Sequence, residues 1–249
     1  MEYMMSKVRS FSYLLKSETI KEYSDFKHYF VNYIVGIFNQ AILCYVLAMG
    51  FLEPGADFFD FLVKIFIWYI GRDLIAELPA SVQEERSHGT LEYIYLNVHR
   101  METYLFVKTI STILWSLLFY IALATILIGF GLFDSKEIIF NFESQKLLVV
   151  FFALVACVGY GYFFAGLALI LRKISAMVSI FGYLLLFSQF VDANSKLSWI
   201  IFLVPGAWYK FDIGINLMAM LSFATLLLGI LLFSFCLKLS TQGGQFWKK

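Results

Sequence analysis

Long apolar runs separated by short polar stretches organise this chain. The runs Tyr29–Leu52, Phe58–Leu78, Tyr104–Phe130, Lys146–Leu171, Ser175–Val191 and Ile213–Leu237 are each near the roughly 20 residues a helix needs to cross hydrocarbon. They predict an all-α polytopic membrane protein with six transmembrane helices. Before the first run, Met4, Val8, Phe11 and Leu15 recur every three or four residues, with Lys7, Arg9, Lys16 and Glu18 between them. That spacing predicts an amphipathic helix over residues 1–28, lying in the interface with its lysines near anionic headgroups. The six-span domain then occupies 29–238, and 239–249 form a cytoplasmic tail.

Two further patterns refine the picture. Leu197 to Val204 is apolar but too short to cross, and Pro205-Gly206 breaks it before Trp208 and Tyr209. The expectation is a re-entrant external hairpin before the sixth span, sheltered by the bundle, with Trp208 and Tyr209 as interfacial anchors. In the fourth run Ala153, Cys157, Gly161 and Ala165 repeat at four-residue spacing. Such a small-residue face admits a second helix closely, from this chain or from another copy.

The main polar interruption is Glu84-Glu85-Arg86-Ser87-His88-Gly89-Thr90-Leu91-Glu92. Pro79 is expected to end the second run, with Ser81 and Glu84 forming a capping box for a new helix. After the permissive Gly89, Thr90 to Leu96 read as a short amphipathic helix offering Leu91, Ile94 and Tyr95 to a groove on a soluble partner.

Composition agrees with a bilayer setting. The chain is 61% hydrophobic and 15% charged, with a mean hydropathy of +0.78, whereas soluble domains carry about a quarter charged residues. A net charge of +1 gives no reason to expect a nucleic-acid partner. No cleavable signal peptide is expected, because the first 25 residues carry several acids and no continuous apolar core. Placing both termini in the cytoplasm puts fourteen of the 19 lysines and arginines on that side, including every arginine. The opposite side keeps Lys64, Lys136, Lys146, Lys196 and Lys210. The positive-inside rule therefore puts the polar island in the cytoplasm.

Candidate chemistry is sparse. His28, His88 and His99 lack the spacing of a metal site, and Cys44, Cys157 and Cys236 all fall inside apolar runs as buried thiols. No catalytic residue and no metal ligand is expected, and no acidic pair at helical spacing faces a common span interior. No phosphate-cradling loop is present, so any ATP and Mg would be bound by another chain. Lys64 and Arg72-Asp73 lie within snorkelling reach of the span ends and read as anchors. The neutral groups Asn39, Gln40, Ser188, Gln189 and Asn216 are the candidates for lining a pathway.

The island, followed about fifteen residues later by Lys108, resembles the signature of ABC-2 type transporter permeases. There a Glu-x-x-x-Gly-Thr-Leu-Glu segment lies between the second and third of six spans and leads toward a Gly-Lys pair. Val107 stands here in place of that glycine. The resemblance covers the whole chain. It implies a permease, not itself an enzyme, in the plasma membrane of a bacterial cell, paired with a second permease copy and docked on a separate ABC ATP-binding subunit. Export is the implied direction. Glu84, Glu85, Arg86, Gly89, Thr90, Leu91 and Glu92 would form the coupling helix, with Arg172 and Lys173 as a second, smaller contact. A drug, an antimicrobial peptide or a lipid-like molecule suits the aromatic-rich spans as cargo. Two other classes stay open: a non-transporting immunity or sensor protein that binds a peptide, and an ion-coupled secondary carrier.

Overall fold

The computed structural model describes residues 2–51, 58–97, 101–129, 144–171, 173–190, 203–209 and 214–242, without the side chains of 2–10, 51, 58, 97, 144–145 and 209. Every regular element among them is helical: α1 (Glu2–His28), α2 (Phe30–Phe51), α3 (Phe58–His88), α4 (Leu91–Asn97), α5 (Met101–Gly129), α6 (Ser144–Ile170), α7 (Ser175–Phe187), a 3₁₀ turn (Pro205–Tyr209) and α8 (Ile215–Gln242). Four of them, α2, α5, α6 and α8, are long and apolar enough to cross a membrane. That composition suits a multi-pass membrane protein.

The remaining two predicted spans behave differently. α7 is apolar but has only 13 residues. α3 runs for 31 residues and carries Asp60, Lys64, Arg72, Asp73 and Glu77. Its low apolarity has a physical reason, because α3 is the central helix and packs on α5, α6 and α7. Ile65, Ile67, Ile70, Leu74 and Leu78 are completely buried along it. A helix walled by protein need not be apolar on every face.

Pro79 does not end this helix. α3 continues to His88, and Ser81 donates its hydroxyl to the Leu78 carbonyl at 2.9 Å instead of capping a new start. Proline removes one backbone donor, but Leu78 and Val82, both fully buried, pin the turns on either side of it.

The small residues of α6 close the question of what they meet. A Cβ on Gly161 would lie 2.7 Å from the Leu74 carbonyl oxygen of α3, and a Cβ on Gly71 would lie 2.8 Å from Cys157 Sγ. The four-residue stripe therefore packs inside the chain, mainly on α3. On another face, a Cβ on Gly159 would fall 2.6 Å from the Thr225 backbone, and one on Gly229 would strike the Gly159 carbonyl. Helices α6 and α8 thus cross with their backbones almost touching, and theirs is the most extensive contact in the bundle. Ser222 of α8 ties the pair further by donating to the Phe152 carbonyl at 2.9 Å.

Most of the expected external hairpin, 191–202, lies outside the described residues. The turn after it is buried, with Val204, Ala207 and Trp208 at most 3% exposed. Trp208 is not an interfacial anchor: it fills a small core with Ile67, Ala153, Ala156 and Met218. Gly206 permits the approach, since a Cβ there would sit 2.5 Å from the Leu185 carbonyl oxygen.

Candidate functional site

The polar island forms the end of α3 and a joint into α4. Gly89 adopts φ +73°, the left-handed conformation that glycine takes without penalty. Its N–H donates to the Arg86 carbonyl at 3.2 Å, and the Thr90 N–H reaches the Glu85 carbonyl at 3.0 Å. These two bonds make a Schellman C-cap. Thr90 then starts α4, its carbonyl accepting from the Ile94 N–H at 3.0 Å, while its hydroxyl hydrogen-bonds the Glu85 carboxylate. The Gly-Thr pair is therefore a tight turn between two helices.

The other island residues divide into inward and outward groups. Leu91 is 3% exposed and belongs to the main core, so it seats α4 rather than facing a partner. Arg86 donates to the carbonyls of Ala168 and Leu169 at 3.4 and 3.2 Å, capping the C-terminal end of α6, where a cation is favoured by the helix dipole. Outward lie Glu84, His88 and Gly89, with Tyr93 and Leu96 about 70% exposed on α4. Glu92 is half-buried, Lys173 is exposed, and Arg172 lies outside the described residues.

Two lysines join the island to the rest of the molecule. Lys21 of α1 lies 3.6 Å from Glu84 and 3.3 Å from Glu85. Partial burial works against the Lys21 charge, but the two carboxylates outweigh it and hold the ammonium above the ordinary lysine range. Also on α1, Glu22 (next to Lys21) and Glu18 (about one turn before it) flank Lys108 of α5 at 2.6 and 3.6 Å. Lys108 is almost fully buried. The acids Glu18 and Glu22 of α1, out of place in an interfacial helix, are the countercharges of Lys108, and with Lys21 bound to α3 they let α1 clamp α3 to α5. Ser240 of α8 reaches the Leu169 carbonyl at 3.5 Å, which brings the C-terminal ends of α6 and α8 to the same end of the bundle as the island.

Next to this network is a cavity of about 450 Å³ between α1, α2, α3 and α5. Phe26, Tyr33, Trp115 and Phe119 form its aromatic wall, with Tyr33 stacked on Phe119 at 5.2 Å between centroids. Its polar side holds Glu22, Gln40, Arg72, Asp73, Glu77, Thr112 and Ser116. Asp73 accepts from Arg72 at 2.9 Å and from Ser116 at 2.7 Å, and the Arg72 guanidinium lies over the Trp68 and Tyr69 rings at 5.2 and 5.4 Å. Arg72 and Asp73 thus belong to the interior of the bundle rather than to a snorkelling anchor. Asp73 and Glu77, four residues apart, share the cavity face of α3. This corrects the expectation that no acidic pair faces a common interior.

Of the proposed pathway residues, only Gln40 lines this cavity. Asn39 and Asn216 are exposed on outer faces. Ser188 and Gln189 are buried at the end of α7, where both bond the Leu185 carbonyl. Glu22, Glu77, Thr112 and Trp115 were not singled out from sequence. The readable signal was the i, i+4 spacing of Asp73 and Glu77, which a span ended at Leu78 pushes to the margin.

No protein-family model matches the chain, and no match is found among curated proteins or solved structures.

Proposed function

We propose that this chain is the permease subunit of an ATP-driven exporter of the ABC-2 type, with six spans, both termini cytoplasmic, and ATP and Mg bound by a separate subunit. One observation carries the reading. The island ends in a glycine-hinged joint whose short helix displays Tyr93 and Leu96 outward, while Lys21, Arg86 and Leu91 root it in α1, α6 and the core. A docking element needs an exposed tip and a stiff root, because a push on the tip must move the spans. Glu22, the residue next to Lys21 on α1, lines the cavity and pairs with Lys108, which gives that push a route through α1. The six-span reading draws support from the central place of α3, and the pairing with a second copy rests on the resemblance.

The test is ATP hydrolysis by the complex purified with the full-length tagged chain and reconstituted in liposomes. Leu96→Asp, at an exposed site, is expected to abolish the co-purified ATPase activity while membrane insertion stays normal. Undiminished activity in that variant counts against the coupling role of α4.

A second reading, an ion-coupled secondary carrier, is favoured by the carboxylates of Glu22, Asp73 and Glu77 around one cavity. Transport driven by a proton or sodium gradient in liposomes without any ATP-binding subunit would select it.

A further inference from the structure

We propose that the cavity between α1, α2, α3 and α5 is a binding site for an ammonium-bearing organic cation with an apolar body. The argument rests on which polar groups in the cavity have partners. Asp73 is satisfied by Arg72 and Ser116, and Glu22 by Lys108. Glu77 lines the same space with its side chain open to it rather than buried, and among the described residues no ion pair engages its carboxylate. Thr112 is 4% exposed, and its hydroxyl lacks even the backbone bond that Thr109 makes one turn earlier. The Gln40 carbonyl oxygen is also buried without a partner. Unsatisfied buried polar atoms are rare and call for an explanation.

The three groups share a chemistry, since carboxylate, amide oxygen and hydroxyl all accept hydrogen bonds. What they lack is a donor carrying positive charge. An anion is excluded by the two further carboxylates, and among the described residues the one cation lining the cavity, Arg72, is already committed to Asp73. The opposite wall of Phe26, Tyr33, Trp115 and Phe119 offers ring faces, which attract a cation and cover an apolar body. A volume of about 450 Å³ accommodates roughly fifteen non-hydrogen atoms at about 30 Å³ each. An inorganic ion would leave the aromatic wall unused. The proposal does not depend on α4 docking an ATPase, and binding can be read with no partner present.

Phenethylamine is a suitable probe, with phenethyl alcohol as its uncharged counterpart. The full chain in maltoside micelles is expected to bind tritiated phenethylamine saturably at neutral pH. The alcohol should compete about tenfold less well, which corresponds to about 1.4 kcal/mol. Glu77→Gln should weaken the amine about tenfold, and Thr112→Val should weaken it about threefold. Equal competition by amine and alcohol would overturn the proposal, as would wild-type affinity in a folded Glu77→Gln protein. Thermal transitions of both variants are recorded in parallel. Should Glu77→Gln not fold, the decision falls to Thr112→Val and the alcohol. The ammonium has two natural sources, a lipid headgroup and a free amine. Displacement of the probe by phosphatidylethanolamine but not phosphatidylglycerol would assign the headgroup. Displacement by neither lipid would assign the free amine.

Discussion

Lys108 sets the energetics of the α1–α5 contact. Its ammonium is shielded from solvent and lies between two carboxylates, so removing it leaves like charges facing each other in a poorly solvated place. Lys108→Met is expected to destabilise the protein by about 3–5 kcal/mol, seen as a lowered thermal midpoint in detergent. Adding Glu18→Gln and Glu22→Gln should restore most of the loss. A drop below about 1 kcal/mol would mean that water reaches this site freely. Lys21 is the contrasting case, with 37% of its side chain exposed. Lys21→Met should change stability by no more than about 1 kcal/mol. Because its pKa is raised on folding, that small contribution is complete below the ordinary lysine pKa and fades only as pH climbs through the raised value. It should therefore be flat across neutral pH. Gly89 is a residue-scale constraint of a different kind, since no atom crowds it and only its φ matters. Gly89→Ala should cost about 1–2 kcal/mol at the joint, read as faster amide exchange in α4.

Among the helices, close packing depends on a few glycines. Gly159 and Gly229 let α6 and α8 meet backbone to backbone, in a setting where van der Waals fit rather than water exclusion holds helices together. Gly229→Ala is expected to separate them, lowering the thermal midpoint markedly. Gly36→Ala on α2, where nothing lies within 4 Å of the added methyl, should be neutral or stabilising by up to about 1 kcal/mol. Equal behaviour of the two variants would refute the crossing. Hydropathy made α2, α5, α6 and α8 legible from the sequence, because these helices face lipid and their composition reflects it. The course of α3 was not legible. Proline read as a helix breaker stops it at Pro79, whereas the buried Leu78 and Val82 hold its course and it continues to His88. The island's Gly-Thr joint was readable as a turn, but the inward role of Leu91 and Arg86 was not, since Arg86 depends on where α6 ends and Leu91 on the core beneath α4. The cavity was the least legible part. It draws on four helices far apart in sequence, and Glu22 in particular belongs to a segment that reads as a surface helix.

At the scale of the whole molecule, the outer surface is a belt of apolar side chains. Leu227, Leu228, Leu231 and Phe235 of α8 are all more than half exposed, far more contiguous apolar surface than a soluble protein tolerates. Leu228→Arg should cost about 2.5–3.5 kcal/mol for insertion, so most of that variant is expected to be extracted from membranes by alkaline carbonate. Retention at the wild-type level would place this face against protein instead. The thiols probe the interior, since Cys44, Cys157 and Cys236 are all buried.

Pro79 lies inside α3, between the cavity and the joint at Gly89. It separates Asp73 and Glu77 from the segment that ends in Gly89, and it cannot donate a bond to the Ile75 carbonyl four residues earlier. The rod between the cavity and the joint at Gly89 is therefore notched at one point along its length. Helices bend where such a bond is missing. A load on the tip would meet the weakest backbone point of α3 at the notch, braced there by the packing of Leu78 and Val82. Pro79 would thus set how much of a movement outside is felt within.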